Sequence, residues 1–162
     1  VELLRKLIAE QVRVYQRTNA VRASKFSEIL ANAMSNYLKG LLTNEEVIQE
    51  LMKAAHEIIN GEEDSKKLNL TSEELAFYDA LTQPEAVKDF YTNDQLVAIT
   101  KELTDALREN KTIDWNVKES ARAGMRRIVK RLLKKYKYPP EGEEDALNTI
   151  MTQCNKWSEN NV

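Results

Sequence analysis

Residues 43–59 read TNEEVIQELMKAAHEII, and this stretch carries the two signals that decide the fold. Its apolar residues recur every three or four positions, which is the spacing of one face of an α-helix. Thr43 stands three residues before Glu46, as in a capping box, where the threonine hydroxyl and the glutamate side chain each accept a backbone N–H. The stretch therefore predicts an amphipathic helix that begins at Thr43, and the pair Asn60-Gly61 predicts its end.

The same capping signature recurs twice further along the chain. Thr71 and Thr92 each stand three residues before a Glu or a Gln. These boxes predict helices over 71–81 and 92–109, because a capping box before an apolar run marks a helix N-terminus.

Apolar residues recur at helical spacing along most of the remaining chain. Three stripes in its first sixty residues comprise Leu3, Leu4, Leu7, Ile8, Val12 and Tyr15; Phe26, Ile29, Leu30, Ala33, Met34, Tyr37 and Leu38, with Gly40 as a stop; and Val47, Ile48, Leu51, Met52, Ala55, Ile58 and Ile59. A last helix after Pro140 carries Ala146, Leu147, Ile150, Met151, Cys154 and Trp157 inward. With only four glycines, three prolines and no alternating strand pattern, the chain is predicted to be an all-α multi-helix bundle of about six to seven helices.

A polar stretch over 61–70 predicts an exposed connection that divides the chain. It separates a helical front half, residues 1–60, from a helical back half, residues 71–162, within one domain of 162 residues. The chain opens with Val1, has no signal-peptide layout, and lacks an apolar run of the roughly 20 residues that a membrane-spanning helix needs. We therefore expect a cytoplasmic fragment of a longer protein, with no membrane partner.

Residues for catalysis or metal binding are sparse in the sequence. It contains neither a GxxxxGK[ST] phosphate loop nor a GxGxxG turn. His56 is the only histidine and Cys154 the only cysteine, so neither has the companions of a metal site or a catalytic pair. The acidic run at 62–64 is typical of a solvated linker. We therefore expect no catalytic residue, no metal and no cofactor in this stretch, which is not an enzyme by itself.

Charge is distributed unevenly along the chain. The net charge is −2, yet residues 111–138 hold 10 basic and 2 acidic residues, whereas residues 71–110 hold 3 basic and 9 acidic ones. The basic block coincides with a long predicted helix over 114–137, which Tyr138-Pro139-Pro140 ends. Its apolar side comprises Val117, Ala121, Met125, Ile128, Val129, Leu132 and Tyr136.

The rest of this helix is a basic face, which we expect to contact the phosphates of a polyanion. It consists of Lys118, Arg122, Arg126, Arg127, Lys130, Arg131, Lys134 and Lys135, with Lys137 just beyond them. Like charges four residues apart repel each other, and a polyanion would relieve the repulsion. Three alternatives remain open: the acidic block at 71–110 neutralises this face, an acidic protein binds it, or it holds a phosphate or nucleotide without turnover.

Several motifs of this chain resemble the C-terminal region of type I restriction enzyme R subunits. Within and around the basic helix these are TIDW at 112–115, KESARA at 118–123, VKRLL at 129–133 and YPP at 138–140. Upstream lie FSEIL at 26–30, VIQEL at 47–51 and LTSEELAFYDAL at 70–81. The resemblance covers about residues 20–158, with the motifs in order.

The resemblance implies that this is the C-terminal helical domain of a subunit that translocates DNA with ATP and cleaves it. The nuclease and the ATP- and Mg²⁺-dependent motor would lie N-terminal to it. It also implies partners, namely the methyltransferase and specificity subunits and duplex DNA. Asp114 is expected to cap the basic helix and Trp115 to anchor its entrance. We expect this region to serve complex assembly and sequence-independent contact with the DNA backbone.

Overall fold

The computed structural model describes residues 1–84, 86–110 and 118–160, and the described residues are helical without a strand. The predicted all-α class is confirmed. The described residues form eight helices, seven of them 11 residues or longer, against six to seven predicted. These are α1 (Glu2–Thr18), α2 (Ala20–Leu38), α3 (Asn44–Lys67), α4 (Ser72–Thr82), α5 (Ala86–Phe90), α6 (Asn93–Asn110), α7 (Glu119–Lys135) and α8 (Pro140–Asn160).

All three predicted capping boxes are present. The hydroxyl oxygens of Thr43, Thr71 and Thr92 each accept a hydrogen bond of 3.2 Å from the backbone N–H three residues on. The Glu or Gln at that position accepts the threonine's own backbone N–H in return, at 2.9–3.2 Å. The beginnings of α3, α4 and α6 are therefore set by local hydrogen bonds that the sequence encodes.

The chain divides into two compact units, each with its own core. Unit 1 comprises Val1–Arg17 and Arg22–Asn69, and unit 2 comprises Thr18–Val21 and Leu70–Val162. In unit 1, buried residues of α1, α2 and α3 form one cluster, and the rings of Tyr15 and Phe26 lie 5.8 Å apart within it.

In unit 2, α4 lies at the centre of the core. Leu75, Ala76, Phe77, Ala80 and Leu81 are all buried, so apolar residues surround this short helix on most sides. It packs against α6 and α8, and α7 packs against those same two helices. This arrangement gives α7 an inner side against the core and an outer side toward solvent, which positions the basic face.

Unit 2 also contains the junction between α1 and α2. Gln153 of α8 is buried; its amide oxygen accepts from the Ala20 backbone N–H at 2.9 Å, and its amide nitrogen donates to the Thr18 carbonyl at 2.7 Å. The buried Asn19 donates to Asp79 of α4 at 2.7 Å. Gln153 of α8 thus satisfies backbone groups that a helix break would otherwise leave unpaired, and Asp79 of α4 satisfies the side-chain amide of Asn19.

The predicted end of α3 at Asn60-Gly61 is wrong, because residues 61–67 of the predicted connection are helical. The helix continues through Gly61 to Lys67 and ends where Asn69 adopts the left-handed conformation, with φ of 57°. A glycine inside a helix costs only about 1 kcal/mol, so it does not by itself end one. The Arg22 guanidinium occupies the space that a β-carbon at Gly61 would need.

Part of the predicted apolar stripe on α1 is not buried. Leu3 and Leu7 are 71% and 52% exposed, while Ile8 and Val12 are buried. Successive residues of a helix are rotated by about 100° around its axis, so Leu3, Leu7 and Val14 share a face that is distinct from the packed one. Met52, Ile59 and Leu38, also predicted to be inward, are exposed as well.

The basic helix is shorter than the predicted 114–137. Lys118 is extended (φ −82°, ψ 121°) and directly precedes α7, which therefore begins at Glu119 rather than at residue 114. Glu119 supplies a negative charge near the helix N-terminus, where the dipole favours it. The predicted roles of Asp114 and Trp115 and the burial of Val117 lie outside the described residues, as does the side chain of Trp157.

Candidate nucleic-acid interface

The inner side of α7 fixes the orientation of the basic face. Met125, Val129, Leu132 and Leu133 are buried in the unit 2 core, and Ala121, Ile128 and Tyr136 pack partly buried against it. The described residues of the predicted apolar side therefore face inward. Leu133, which was not predicted to belong to that side, is buried as well. All eight residues of the basic face are exposed to solvent.

The C-terminus of α7 closes in a Schellman motif. Lys137 donates its backbone N–H to the Lys134 carbonyl at 3.1 Å, and Tyr138 donates to the Leu133 carbonyl at 2.8 Å. The motif places Lys137 in the left-handed conformation, with φ of 55°. The buried Tyr138 hydroxyl donates to the Leu81 carbonyl at 2.7 Å, which ties this end of α7 to α4.

Glu102 of α6 holds the same end of α7 from the side. It accepts a hydrogen bond from the Lys135 ammonium at 2.6 Å and another from the Tyr136 hydroxyl. These two bonds, Lys135 first, lower the pKa of Glu102, and the bond to Glu102 raises the pKa of both Lys135 and Tyr136. Tyr91 adds a third tie, since its hydroxyl donates to the Tyr136 carbonyl at 2.5 Å.

Most of the basic face is not neutralised by carboxylates of the described residues. Lys135 pairs with Glu102, and Arg126 donates to the neutral amide of Asn148 at 3.2 Å. The remaining cations with no ion pair to a described carboxylate are Arg122, Arg127, Lys130, Arg131 and Lys134.

The acidic block at 71–110 uses several of its carboxylates elsewhere. Glu73 pairs with Arg108 at 2.8 Å, Asp105 approaches the same arginine at 3.9 Å, and Glu74 caps α4. Neutralisation of the basic face by this block was one of the alternatives raised by the sequence. Of Lys135 and the five cations named above, only Lys135 pairs with a carboxylate of the block.

The geometry of the basic face suits a linear polyanion. Arg122 and Lys134 are separated by about 18 Å along the helix axis, at 1.5 Å per residue, which matches about five base pairs of duplex DNA. Glu119, at its N-terminal edge, is the acidic residue of α7. Such a row of exposed cations has the spacing and charge for electrostatic contact with phosphates.

An exposed aromatic side chain near this helix was missed from the sequence. Phe90 of α5 is 60% exposed, and its ring meets that of Tyr91 edge-on at 5.0 Å. The available signal was the pair Phe90-Tyr91 directly before the capping box at Thr92, since the start of the next helix positions the residues that precede it. Because α5 was not predicted, the exposure of Phe90 was not either.

The single histidine and the single cysteine are not members of the basic face. His56 is exposed on α3, and Cys154 is buried in the unit 2 core. The described residues contain no group of three His, Cys, Asp or Glu side chains placed to hold a metal ion. Within the same ranges, no helix combines the length and hydropathy needed to cross a membrane.

The comparisons with known proteins agree on one family. Residues 1–160 match the family model described as "Type I restriction enzyme HindI endonuclease subunit-like, C-terminal". The chain is 37% identical over 159 residues to the type I restriction enzyme HindI endonuclease subunit of Haemophilus influenzae, covering 98% of this chain and 15% of that protein.

A second relative is more distant. The putative type I restriction enzyme MjaIXP endonuclease subunit of Methanocaldococcus jannaschii is 31% identical over 162 residues, again covering 98% of this chain and 15% of that protein. No solved structure matches the chain significantly. The family resemblance found in the sequence is confirmed: this chain belongs to the C-terminal family of type I restriction enzyme endonuclease subunits.

Proposed function

We propose that this chain is a non-catalytic assembly and DNA-contact region of a type I restriction endonuclease subunit. Its basic face would bind the phosphate backbone of duplex DNA without reading base sequence. The observation that carries the proposal is the set of exposed cations on α7 without carboxylate partners among the described residues. Membership of an endonuclease-subunit family supplies DNA as the polyanion at hand.

Two properties of the outer side of α7 support contact with phosphates over base reading. The outer side of α7 presents Lys and Arg without the Asn or Gln residues that pair with adenine. Lysines bind phosphates as point charges and carry little base specificity. Cleavage and ATP-driven translocation, with ATP and Mg²⁺, we assign to parts of the longer polypeptide outside this chain, which spans 15% of its relatives.

Titration of the chain into labelled duplexes of unrelated sequence tests the DNA contact. We expect equal affinity for different sequences and a steep loss of affinity between about 50 and about 200 mM salt, because bound phosphates release counterions. The triple variant Arg126→Gln, Lys130→Gln and Lys134→Gln should bind more weakly and lower the slope of log affinity against log salt by about 3.

A matched control separates the basic face from net charge. Lys6, Arg13 and Lys53 are exposed basic residues of unit 1, and their change to Gln removes the same three charges. This control should bind DNA nearly as the parent chain does. Equal losses in the two triple variants, or no binding even at low salt, would sink the DNA-contact proposal. Competition by ATP at equal charge concentration would favour a nucleotide site instead.

The assembly part of the proposal concerns the methyltransferase and specificity subunits. Its support is family membership together with the exposed apolar face of α1, formed by Leu3, Leu7 and Val14. Exposed apolar patches of this kind mark protein contacts more often than chance.

A further inference from the structure

Phe90, the last residue of α5, is an apolar ring that is 60% exposed to solvent. Its neighbour in α5, Val87, is fully buried, which fixes how the helix lies against the unit 2 core. Seven other large apolar side chains are strongly exposed among the described residues, and all seven belong to unit 1. Within the described part of unit 2, Phe90 therefore stands alone rather than within an apolar patch.

The ring of Phe90 is connected to the C-terminal end of the basic helix. It packs edge-on against the ring of Tyr91, with centroids 5.0 Å apart and planes at 78°. Tyr91 in turn donates its hydroxyl to the Tyr136 carbonyl at 2.5 Å. Tyr91 thus links Phe90 to the backbone of Tyr136, which lies between Lys135 and Lys137.

The segment that Tyr91 contacts is itself tied to α6. Tyr136 is bonded to Glu102, and the Lys135 ammonium lies 5.4 Å from the centroid of the Tyr136 ring while it also binds Glu102 at 2.6 Å. Lys134 and Lys137 are exposed at the same helix end. An aromatic face and several cations are therefore presented together by fixed elements.

An exposed aromatic ring beside cations is the combination that binds unpaired nucleotides. Single-stranded nucleic acid is held by cations that track its phosphates and by exposed aromatic rings on which its bases stack. In an intact duplex the base faces are already stacked on each other and do not reach such a ring. Protein docking favours a contiguous apolar patch, and a lone ring beside cations lacks one.

We infer that Phe90 and the C-terminal end of the basic face form one site for nucleic acid with unpaired bases, either a single strand or a locally opened duplex. Phosphates bind Lys134 and Lys137, and one base stacks on Phe90. The inference rests on the proposed DNA contact and deepens it, because it gives this end of α7 a preference for strand-separated DNA.

The test compares a short oligothymidine carrying one 2-aminopurine with a blunt duplex of the same length. Stacking on a protein ring changes the fluorescence of 2-aminopurine, and anisotropy gives the affinity. Phe90→Ala should weaken binding of the single strand about 5- to 10-fold, the lower part of the range for losing one base–aromatic stack. It should leave the duplex affinity within a factor of about 2 and abolish the fluorescence change.

Two further variants make the result specific. Phe90→Trp keeps an aromatic face and should retain the single-strand affinity and the fluorescence change. Leu38→Ala removes a side chain that is 79% exposed in unit 1 and should alter neither. Because Phe90 is mostly exposed, its removal leaves the folded core intact, which far-ultraviolet circular dichroism checks.

Several outcomes would overturn the inference. An unchanged single-strand affinity in Phe90→Ala, or equal losses for single strand and duplex, removes the stacking role. If that variant instead loses only its capture of the methyltransferase–specificity core, Phe90 is a protein contact. When the parent chain binds neither DNA at low salt, the proposed DNA contact fails too. When the basic triple variant loses the duplex but Phe90→Ala retains the single strand, this inference fails alone.

Discussion

Lys137 adopts a backbone conformation that suits glycine better than lysine. With φ of 55° it lies in the left-handed region, where a β-carbon crowds the following carbonyl at a cost of about 1–2 kcal/mol. The corresponding position after α2 is Gly40, with φ of 76° and the same two Schellman hydrogen bonds. The chain therefore uses glycine at one helix end and tolerates lysine at the other.

Replacing Lys137 by glycine is expected to stabilise the protein. Relief of the left-handed strain, offset by the greater freedom of glycine in the unfolded chain, leaves a gain of about 0.5–1 kcal/mol. Urea unfolding followed by circular dichroism measures it. Lys137→Ala, which removes the same charge and keeps the β-carbon, should show little gain. A similar increase in both variants would mean that charge, rather than backbone strain, is responsible.

At the scale of helices, Glu102 links α6 to α7 through two hydrogen bonds to charged or polar partners. Its pKa is lowered in the folded state, so its contribution to stability is present above the unfolded pKa of about 4.3 and is lost as pH falls through the lower folded value. The pKa of Tyr136 is raised, so its contribution is present below its unfolded pKa of about 10 and is lost as pH rises beyond it.

Glu102→Gln should therefore flatten the acid side of the stability profile. We expect the variant to be less stable than the parent near neutral pH. The difference should shrink as the pH falls below the unfolded pKa of about 4.3 and the parent's Glu102 becomes protonated. Unfolding free energies at a series of pH values measure this. Glu109→Gln, at an exposed position of α6, is the control and should leave the acid limb unchanged. An equal flattening in the control would contradict a role for Glu102.

The helices themselves were largely predictable because their N-termini are encoded locally. Thr43, Thr71 and Thr92 each carry their cap partner three residues away, so no tertiary knowledge was needed. The end of α3 was not predictable from Asn60-Gly61, since a glycine costs a helix only about 1 kcal/mol and does not by itself end it. Likewise α5 is held by the burial of Val87, which no periodic pattern of five residues announces.

The candidate site was likewise predictable from the sequence only in part. The outer side of α7 followed from helical periodicity, because the apolar residues had to face the core. Which cations meet a carboxylate did not follow, since Glu102 and Lys135 are 33 residues apart in sequence. Phe90 joins the site only through Tyr91 and the fold of α5, and neither contact can be deduced from the sequence.

At the scale of the whole molecule, the two kinds of exposed surface fall on different units. The basic face lies on unit 2, whereas the exposed face of α1 lies on unit 1. A region that serves both DNA contact and assembly has separate surfaces for the two, and variants in one need not disturb the other.

This separation gives a test of the assembly proposal. Leu3→Gln with Leu7→Gln should reduce capture of a purified methyltransferase–specificity core by the immobilised chain, because apolar surface is lost from the contact. Duplex DNA affinity should stay unchanged. Leu38→Gln with Leu41→Gln, equally exposed at the end of α2, is the matched control. Equal capture by both double variants and the parent would exclude the α1 face from assembly.

The burial of Cys154 gives unit 2 a built-in chemical reporter. Its thiol is fully enclosed in the unit 2 core, and it is the sole cysteine of the 162 residues. A thiol-modifying reagent in excess reacts with it only when the surrounding helices open, so the rate of modification measures the frequency of that opening. Unit 1 contributes no signal, since it has no thiol. The same rate measured with nucleic acid bound tells how far occupancy of the outer side of α7 slows the opening of the core beneath it.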